Sequence, residues 1–340
     1  MPQEALADSI DELDRRVIAA LQLNGRAPWS AVARWVGASE TTAQRRYTAL
    51  RERGLLRVIG TLELDRTREG SSMLVRVQAR PGRGLEVADR FAASPDVRFV
   101  AVVTGSADLI VDFVARDNEE MMRMLFTDLP AADLITSTEA VPVIRAFTSA
   151  AMWDTGLLPP AAAADLRPAS SSASCDRTDR DRTDRDRAPQ ALTPLEQEII
   201  TALREDGRTQ ISVLARRLDR AESSVARALD RLISRGILQF RTLVEPSLLG
   251  YDAEFMVWLS IKPDQLDVAG RQLARHPGTK FLGAATGRFN LAGHMVLPRR
   301  ADLLHYTSDV IGTLPGLIAS DVTLHLVTMK YSWHRMGRTT

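Results

Sequence analysis

A single cysteine, Cys175, occurs in the whole chain, which excludes an intrachain disulfide, argues against a cysteine-based metal site and fits a reducing compartment. No apolar run reaches the roughly 18 residues a membrane-spanning helix requires. The opening segment 1–12 is acidic and has no apolar stretch of signal-peptide type. A cytoplasmic protein is expected. A charge excess is missing too: 44 Lys and Arg against 43 Asp and Glu leave +1, so any nucleic-acid footprint has to be local. Catalytic signatures are also sparse, with no glycine-rich nucleotide motif, Walker sequence or serine-nucleophile motif. The five histidines (His276, His294, His305, His325 and His334) all lie in the second half, with no i, i+4 pair on a clear helix. Neither a metal nor a cofactor is expected, and His294 and His325, in predicted strands, read as structural residues.

What the chain has is repetition. Gly25-Arg26 returns as Gly207-Arg208, and the same offset carries Leu13 onto Leu195, Ala33 onto Ala215 and Gly54 onto Gly236. Between residues 13 and 54, 14 of 42 positions are identical at this offset, against about three expected from composition, more than shared amphipathic periodicity explains. The chain reads as an internal duplication, a dimer built into one polypeptide.

Each copy opens with helices. Leu13, Val17, Ile18 and Leu21 form the apolar stripe of a helix over 11–23. A short helix then runs from Ser30 to Gly37, a third spans 39–53, and a strand over 56–64 follows as a wing. Three helices in about 45 residues with a short second turn form a helix-turn-helix pattern. The rest of each copy alternates strand, helix, strand, strand, helix, strand, the ferredoxin-like order. Helices cover only one face of such a sheet, so its other face needs a partner, which the second copy supplies. The expected fold class is α+β, with two winged helix-turn-helix domains (9–64 and 191–246) and two ferredoxin-like domains (71–153 and 252–335) packed sheet to sheet. Residues 154–190 are expected to be a disordered linker, because five Asp and five Arg cancel over 176–187 and apolar residues are scarce.

Residues 39–57 hold five Arg and two Glu, and 221–241 hold four Arg and two acids, so both third helices are locally basic. Gln44, Arg45 and Arg46 carry the side chains that pair with adenine and guanine edges, and Ser39, Thr41 and Thr42 suit phosphate or base contacts near the helix start. Their counterparts are Ser223, Ser224, Arg227 and Arg231.

The opening Ile10-Asp11-Glu12-Leu13-Asp14-Arg15, the helix end Leu21…Asn24-Gly25-Arg26, Ala33…Gly37, Leu50…Arg53-Gly54-Leu55-Leu56 and Thr104-Gly105…Asp108 together resemble the Lrp/AsnC family of transcription factors. The second copy departs from it at Asp219, Ala221 and Asn290, which replace Gly37, Ser39 and Asp108. The resemblance implies double-stranded DNA as partner, a homo-oligomer and a nucleoid-associated regulator. It also implies a small effector, commonly an amino acid, bound near the turns Thr104, Gly105, Asp108 and Thr286, Gly287, Arg288, Asn290. There a carboxylate suits an ammonium and turn amides suit an acid group; the same turns read equally well as purely structural. An enzyme is not expected. Sirohaem decarboxylases share the architecture and form the alternative, as does a nucleoid-organising protein of low specificity.

Overall fold

The computed structural model describes residues 10–64, 67, 70–167 and 191–335. In chain order the elements are α1 (Glu12–Leu23), α2 (Trp29–Val36), α3 (Glu40–Glu52), β1 (Arg57–Leu62), β2 (Ser71–Ala79), α4 (Gly84–Ala93), β3 (Val97–Val103), β4 (Leu109–Ala115), α5 (Asn118–Met122) and β5 (Ile135–Thr148). A helix α6 (Pro160–Leu166) follows. Then come α7 (Pro194–Glu205), α8 (Ile211–Leu218), α9 (Glu222–Ser234), β6 (Leu238–Leu243), β7 (Ala253–Ile261), α10 (Leu266–Ala274), β8 (Thr279–Ala285), β9 (Leu291–Leu297), β10 (Leu317–Tyr331) and β11 (His334–Arg335). The described residues divide into two compact bodies, one within 7–68 and 150–249, the other within 69–149 and 250–340.

Local signals set the helices of the first body. The Asp11 side chain accepts from the Asp14 amide and the Asp14 carboxylate accepts from the Asp11 amide, a reciprocal box at the start of α1. Gly37 ends α2 at φ 73° and Ser39 caps α3 by accepting from the Thr42 amide. In the second module Thr193, Pro194 and Glu196 start α7 in the same manner. Asp219, however, stands where Gly37 does and is held at φ 52°. A side chain in the left-handed region costs about 1 kcal/mol, so Asp219→Gly should raise stability by up to about that much in a denaturation midpoint. An unchanged midpoint would mean the glycine's extra freedom in the unfolded chain offsets the gain.

β1 does not form a wing on its own module. It pairs antiparallel with β6 over six residues, from Arg57↔Leu243 to Leu62↔Leu238. Among the described residues each module has one strand, so pairing the two satisfies backbone groups that would otherwise form an open edge. The repeated Gly-Arg pairs reinforce this joint reciprocally. Arg26 Nη1 donates to the carbonyls of Gly207 (2.7 Å) and Thr209 (3.0 Å), while Arg208 donates to Gly25 (2.6 Å) and Ala27 (3.0 Å). Gly207 is required by close approach, since a Cβ there would lie 2.8 Å from the Ile59 carbonyl carbon.

The first part of the expected linker is structured. Leu158 is buried, and α6 buries Ala162 and Leu166. Its Asp165 accepts from Trp35 Nε1 at 2.6 Å and Arg34 at 3.1 Å, and Asn24 Nδ2 donates to the Leu166 carbonyl at 2.9 Å. The alanines and leucines of this stretch supply enough apolar surface to order it, which its Pro and Ser content obscured. Cys175 and the Asp-Arg-Thr tract lie outside the described residues.

In the second body both halves have the expected strand and helix order, although π-helical turns, Arg123–Thr127 and Tyr306–Ile311, take up much of the last helix of each. Their sheets are not merely stacked. β5 pairs with β2 over its first part and with β8 over its second, and β10 pairs first with β7 and then with β3. The result is one closed, barrel-like sheet in the order β11-β10-β3-β4-β2-β5-β8-β9-β7, with β7 returning to β10. The 14- and 15-residue strands β5 and β10 outlast their own halves, and the surplus residues cap the edges of the other. Alternation sets the faces. Met73, Val75 and Val77 join Val87, Phe91 and Phe113 in one helix-covered core, and Phe255, Val257 and Leu259 join Leu273 and Tyr306 in another. The intervening residues, including Arg76, Asp112, Trp258 and His294, point into the ring.

Candidate nucleic-acid interface and ligand cleft

On α3, Thr41, Gln44 and Arg45 are exposed. Ser39 and Thr42 are partly occupied by capping, with their hydroxyls 2.8 Å apart. Arg46 is not available as a base reader: its Nη1 lies 2.7 Å from Asp11 and 3.3 Å from Asp14, tying α3 to α1. On α9, Ser223 and Arg227 are exposed and Ser224 is half-buried. Arg231 and Arg235 lie 3.7 Å from the buried Glu196 carboxylate. The third helices are therefore unlike in detail. α3 presents Thr41, Gln44 and Arg45 where α9 presents Ser223, Ala226 and Arg227, and α9 carries Asp230 where α3 has Thr48.

The joint between these helices holds two half-buried cations. Burial pushes both the Arg26 and the Arg208 guanidinium down from their ordinary values, Arg208 to about 10, which leaves both charged at neutral pH. Arg208 stacks 4.1 Å over Trp29 and Arg26 lies 5.2 Å over Phe240, so aromatic faces replace part of the lost hydration.

In the sheet body the two predicted effector turns behave as staples. Asp108 Oδ2 accepts from the Ala79 amide at 2.8 Å. Asn290 at the corresponding position accepts from the Ile261 amide and donates to the Ile261 carbonyl, both at 2.8 Å. Gly105 and Gly287, at φ 108° and 90°, close the turns, and the amides of Thr104 and Thr286 donate to Leu324 and Pro142. The structural reading of Asp108 and Asn290 thus explains their contacts, while Ser106, Ala107, Arg288 and Phe289 from the same turns line an open cleft of about 460 Å³. Arg76, Gln78, Glu139 and Asp321 complete its polar wall.

Arg76 organises that cleft. It is 8% exposed, lies 5.1 Å from the Trp258 ring and 5.3 Å from the Phe289 ring, and donates to Glu139 at 3.1 Å, to Asp321 and to Ser106. Glu139 and Asp321 are themselves related by the repeat offset of the sequence, as are Ser106 and Arg288, so the cleft is built from matching positions of the two halves. Only Arg288 among these was a sequence-level candidate. Arg76, Glu139 and Asp321 sit in strand interiors, where a charged residue gives no local sign of what it faces across a ring. The exposed Arg288 at one side and two carboxylates at the other suit a ligand that carries both an acid group and an amine.

Helix-turn-helix modules and β-α-β modules with a cleft of ligand size fit a DNA-binding transcriptional regulator with a ligand-binding domain, the class to which the similar sequences belong. Residues 10–51 match the AsnC-type helix-turn-helix domain, and residues 72–151 match the Lrp/AsnC ligand binding domain. A family model described as HVO_A0114 matches residues 191–248. The HTH-type transcriptional regulator FL11 of Pyrococcus horikoshii is 32% identical over 118 residues, 34% of this chain and 78% of that protein. AldR of Mycolicibacterium smegmatis is 28% identical, covering 41% of this chain and 83% of the relative. The chain belongs to the Lrp/AsnC family. Among solved structures, the siroheme decarboxylase NirDL overlays 94% of this chain and 93% of its own, with a TM-score of 0.60 and 16% identity; that likeness is one of fold. No described helix is long and apolar enough to cross a membrane.

Proposed function

We propose that the chain is a tandem-duplicated Lrp/AsnC regulator that reads an operator with two unlike helices, α3 and α9, and responds to a small zwitterionic metabolite in the Arg288–Glu139–Asp321 cleft. The observation that carries the reading is the exposed Thr41, Gln44 and Arg45 face on a helix joined to its counterpart through β1 and β6. Arg45 reads bases, Thr41 and Ser223 contact backbone phosphates or bases, and Arg227 serves the second half-site. Arg45→Ala should cost about 1–3 kcal/mol of operator affinity, measured by gel-shift titration on fragments recovered by genome-wide binding. Arg46→Ala should cost less, because Arg46 is already engaged by Asp11 and Asp14. Unchanged affinity in Arg45→Ala would remove it from the interface, and a larger loss from Arg227→Ala would make the second module the stronger reader.

An amino-acid effector fits the cleft with its carboxylate on Arg288 and its ammonium towards Glu139 and Asp321. Calorimetric screening of amino acids should find a ligand that Arg288→Ala weakens at least tenfold and Asp108→Asn leaves nearly unchanged, since Asn290 already staples the equivalent turn. The reverse ranking would return the effector to the Thr104–Asp108 turn. Association of further copies through the outer helical faces, where Phe126 is 82% and Leu304 73% exposed, completes the reading. Light scattering that finds only single chains with and without operator would remove that part.

A further inference from the structure

Inside the ring, matching positions of the two halves carry different chemistry. In the first half Ser72, Arg98 and Asp112 satisfy one another. Ser72 Oγ donates to Asp112 Oδ1 at 2.7 Å, and Arg98 Nε donates to Asp112 Oδ2 at 2.7 Å. The Arg98 Nη2 group donates to Ser72 Oγ at 3.0 Å. At the repeat offset these three become Glu254, Lys280 and His294, and His325 stands where the first half has Val143. Here the polar groups are not closed on themselves. Lys280 Nζ donates to Glu254 Oε1 at 2.7 Å, but His294 Nε2 and both nitrogens of His325 are buried without a hydrogen bond among the described residues. Both His325 nitrogens are unpaired and His294 Nε2 meets only the Glu254 carboxylate, at 2.8 Å and out of line, so burial of these imidazoles is costly unless something absent from the polypeptide pairs with them.

Their arrangement says what that partner is. Glu254 on β7 and His294 on β9 are diagonal neighbours on the inward face. His325 sits where β10 leaves β7 for β3, beside a register shift. One donor atom from each lies within 4.8 Å of the others. His294 Nε2 approaches Glu254 Oε1 to 2.8 Å, yet in a geometry that is not a hydrogen bond, and His325 Nδ1 lies 3.9 Å from Oε2. Ligands around a tetrahedral ion at bond lengths of about 2.0–2.2 Å stand roughly 3.3–3.6 Å apart, which falls between those separations. We infer that Glu254, His294 and His325 bind one divalent transition-metal ion of the zinc type, with the fourth position open to an exogenous ligand. Two imidazoles and one carboxylate form a donor set such ions accept. Lys280 holds the carboxylate as an outer partner, and Phe99 and Tyr331 flank the imidazoles at 5.7–6.5 Å.

The test uses the full chain, stripped with chelator and then equilibrated with Zn²⁺ or Co²⁺. One ion per chain by elemental analysis is expected, with a tetrahedral or five-coordinate Co²⁺ absorption spectrum and a raised melting temperature. His325→Val borrows the side chain that the first half carries at this position, and Glu254→Gln keeps the volume of the carboxylate. Each should weaken binding by more than the roughly 10–100-fold that loss of an outer partner costs, with circular dichroism unchanged. A wild-type chain that takes up less than about a tenth of an equivalent of either ion overturns the inference. So does stoichiometric metal retained at undiminished affinity in Glu254→Gln and His325→Val, which would place the ion elsewhere. DNA binding plays no part in these readouts, so the outcome is independent of the operator reading.

Discussion

Arg208→Ala should lower the stability of the helix-turn-helix body by about 3 kcal/mol and abolish cooperative operator binding. The substitution removes a charged donor from the carbonyls of Gly25 and Ala27 and a cation from the face of Trp29. Hydrogen bonds from a charged group contribute about 1.5–3 kcal/mol each, the carbonyls left behind are poorly hydrated, and a desolvated cation over indole adds on the order of 1–2 kcal/mol. The sum is reduced because Arg208 retains some exposure. Arg26→Ala should act in the same direction through Gly207 and Thr209. If the two arginines clamp one joint, the double variant will lose less than the two single losses added together. Denaturant unfolding followed by fluorescence of Trp29 and Trp35, with gel shifts on the same proteins, measures both effects. A loss below about 0.5 kcal/mol, the range of ordinary surface substitutions, with full operator affinity would mean that β1 and β6 hold the modules unaided.

Arg76→Met should cost the sheet body about 2–3 kcal/mol. The guanidinium lies between Trp258 and Phe289 and faces Glu139 and Asp321; an apolar side chain of similar length fills the space but leaves two carboxylates facing each other without their cation. Removal of one member of a buried ion pair costs roughly 3–5 kcal/mol, reduced here because Glu139 is 44% and Asp321 24% exposed. Adding Asp321→Asn to Arg76→Met should recover part of the loss, although Asp321→Asn in the wild type should destabilise. Thermal and denaturant unfolding of the three variants reads the sign. If the double variant is no better than Arg76→Met, the loss is one of packing between the two rings and the carboxylates are bystanders.

The parts legible in the sequence are those decided within a few residues. Asp11, Thr193, Gly37 and Ser39 declare the helix ends because caps act over three or four positions, and the strand alternation marks which residues face the helices. Partners across long separations are not declared in this way. Arg46 and Arg45 look equivalent on paper; only the fold places Asp11 and Asp14 against the first. Asp108 reads equally well as a ligand carboxylate and as a turn staple until the Ala79 amide is placed beside it. His294 and His325 lie on separate strands and carry no motif spacing, so the lack of an i, i+4 pair says nothing about a metal site in a ring closed by strand exchange. The strand expected as a wing escapes for the same reason, since β1 finds its neighbour in the other half of the chain.

The two overlong strands also impose an order of events on biosynthesis. β3 of the first half is completed only by β10, the last long strand to leave the ribosome, and the tail of β5 waits for β8. At about 5–20 residues per second the second half follows the first by roughly 10–35 s. During that interval the nascent first half carries an uncovered β3 edge and an unpaired strand end, both competent to pair with any chain of the same kind. Two neighbouring nascent chains on one message are the nearest candidates, so this protein should be more prone to cotranslational cross-pairing at high expression than a single-copy relative of equal stability, and slowing synthesis between the halves should make that worse.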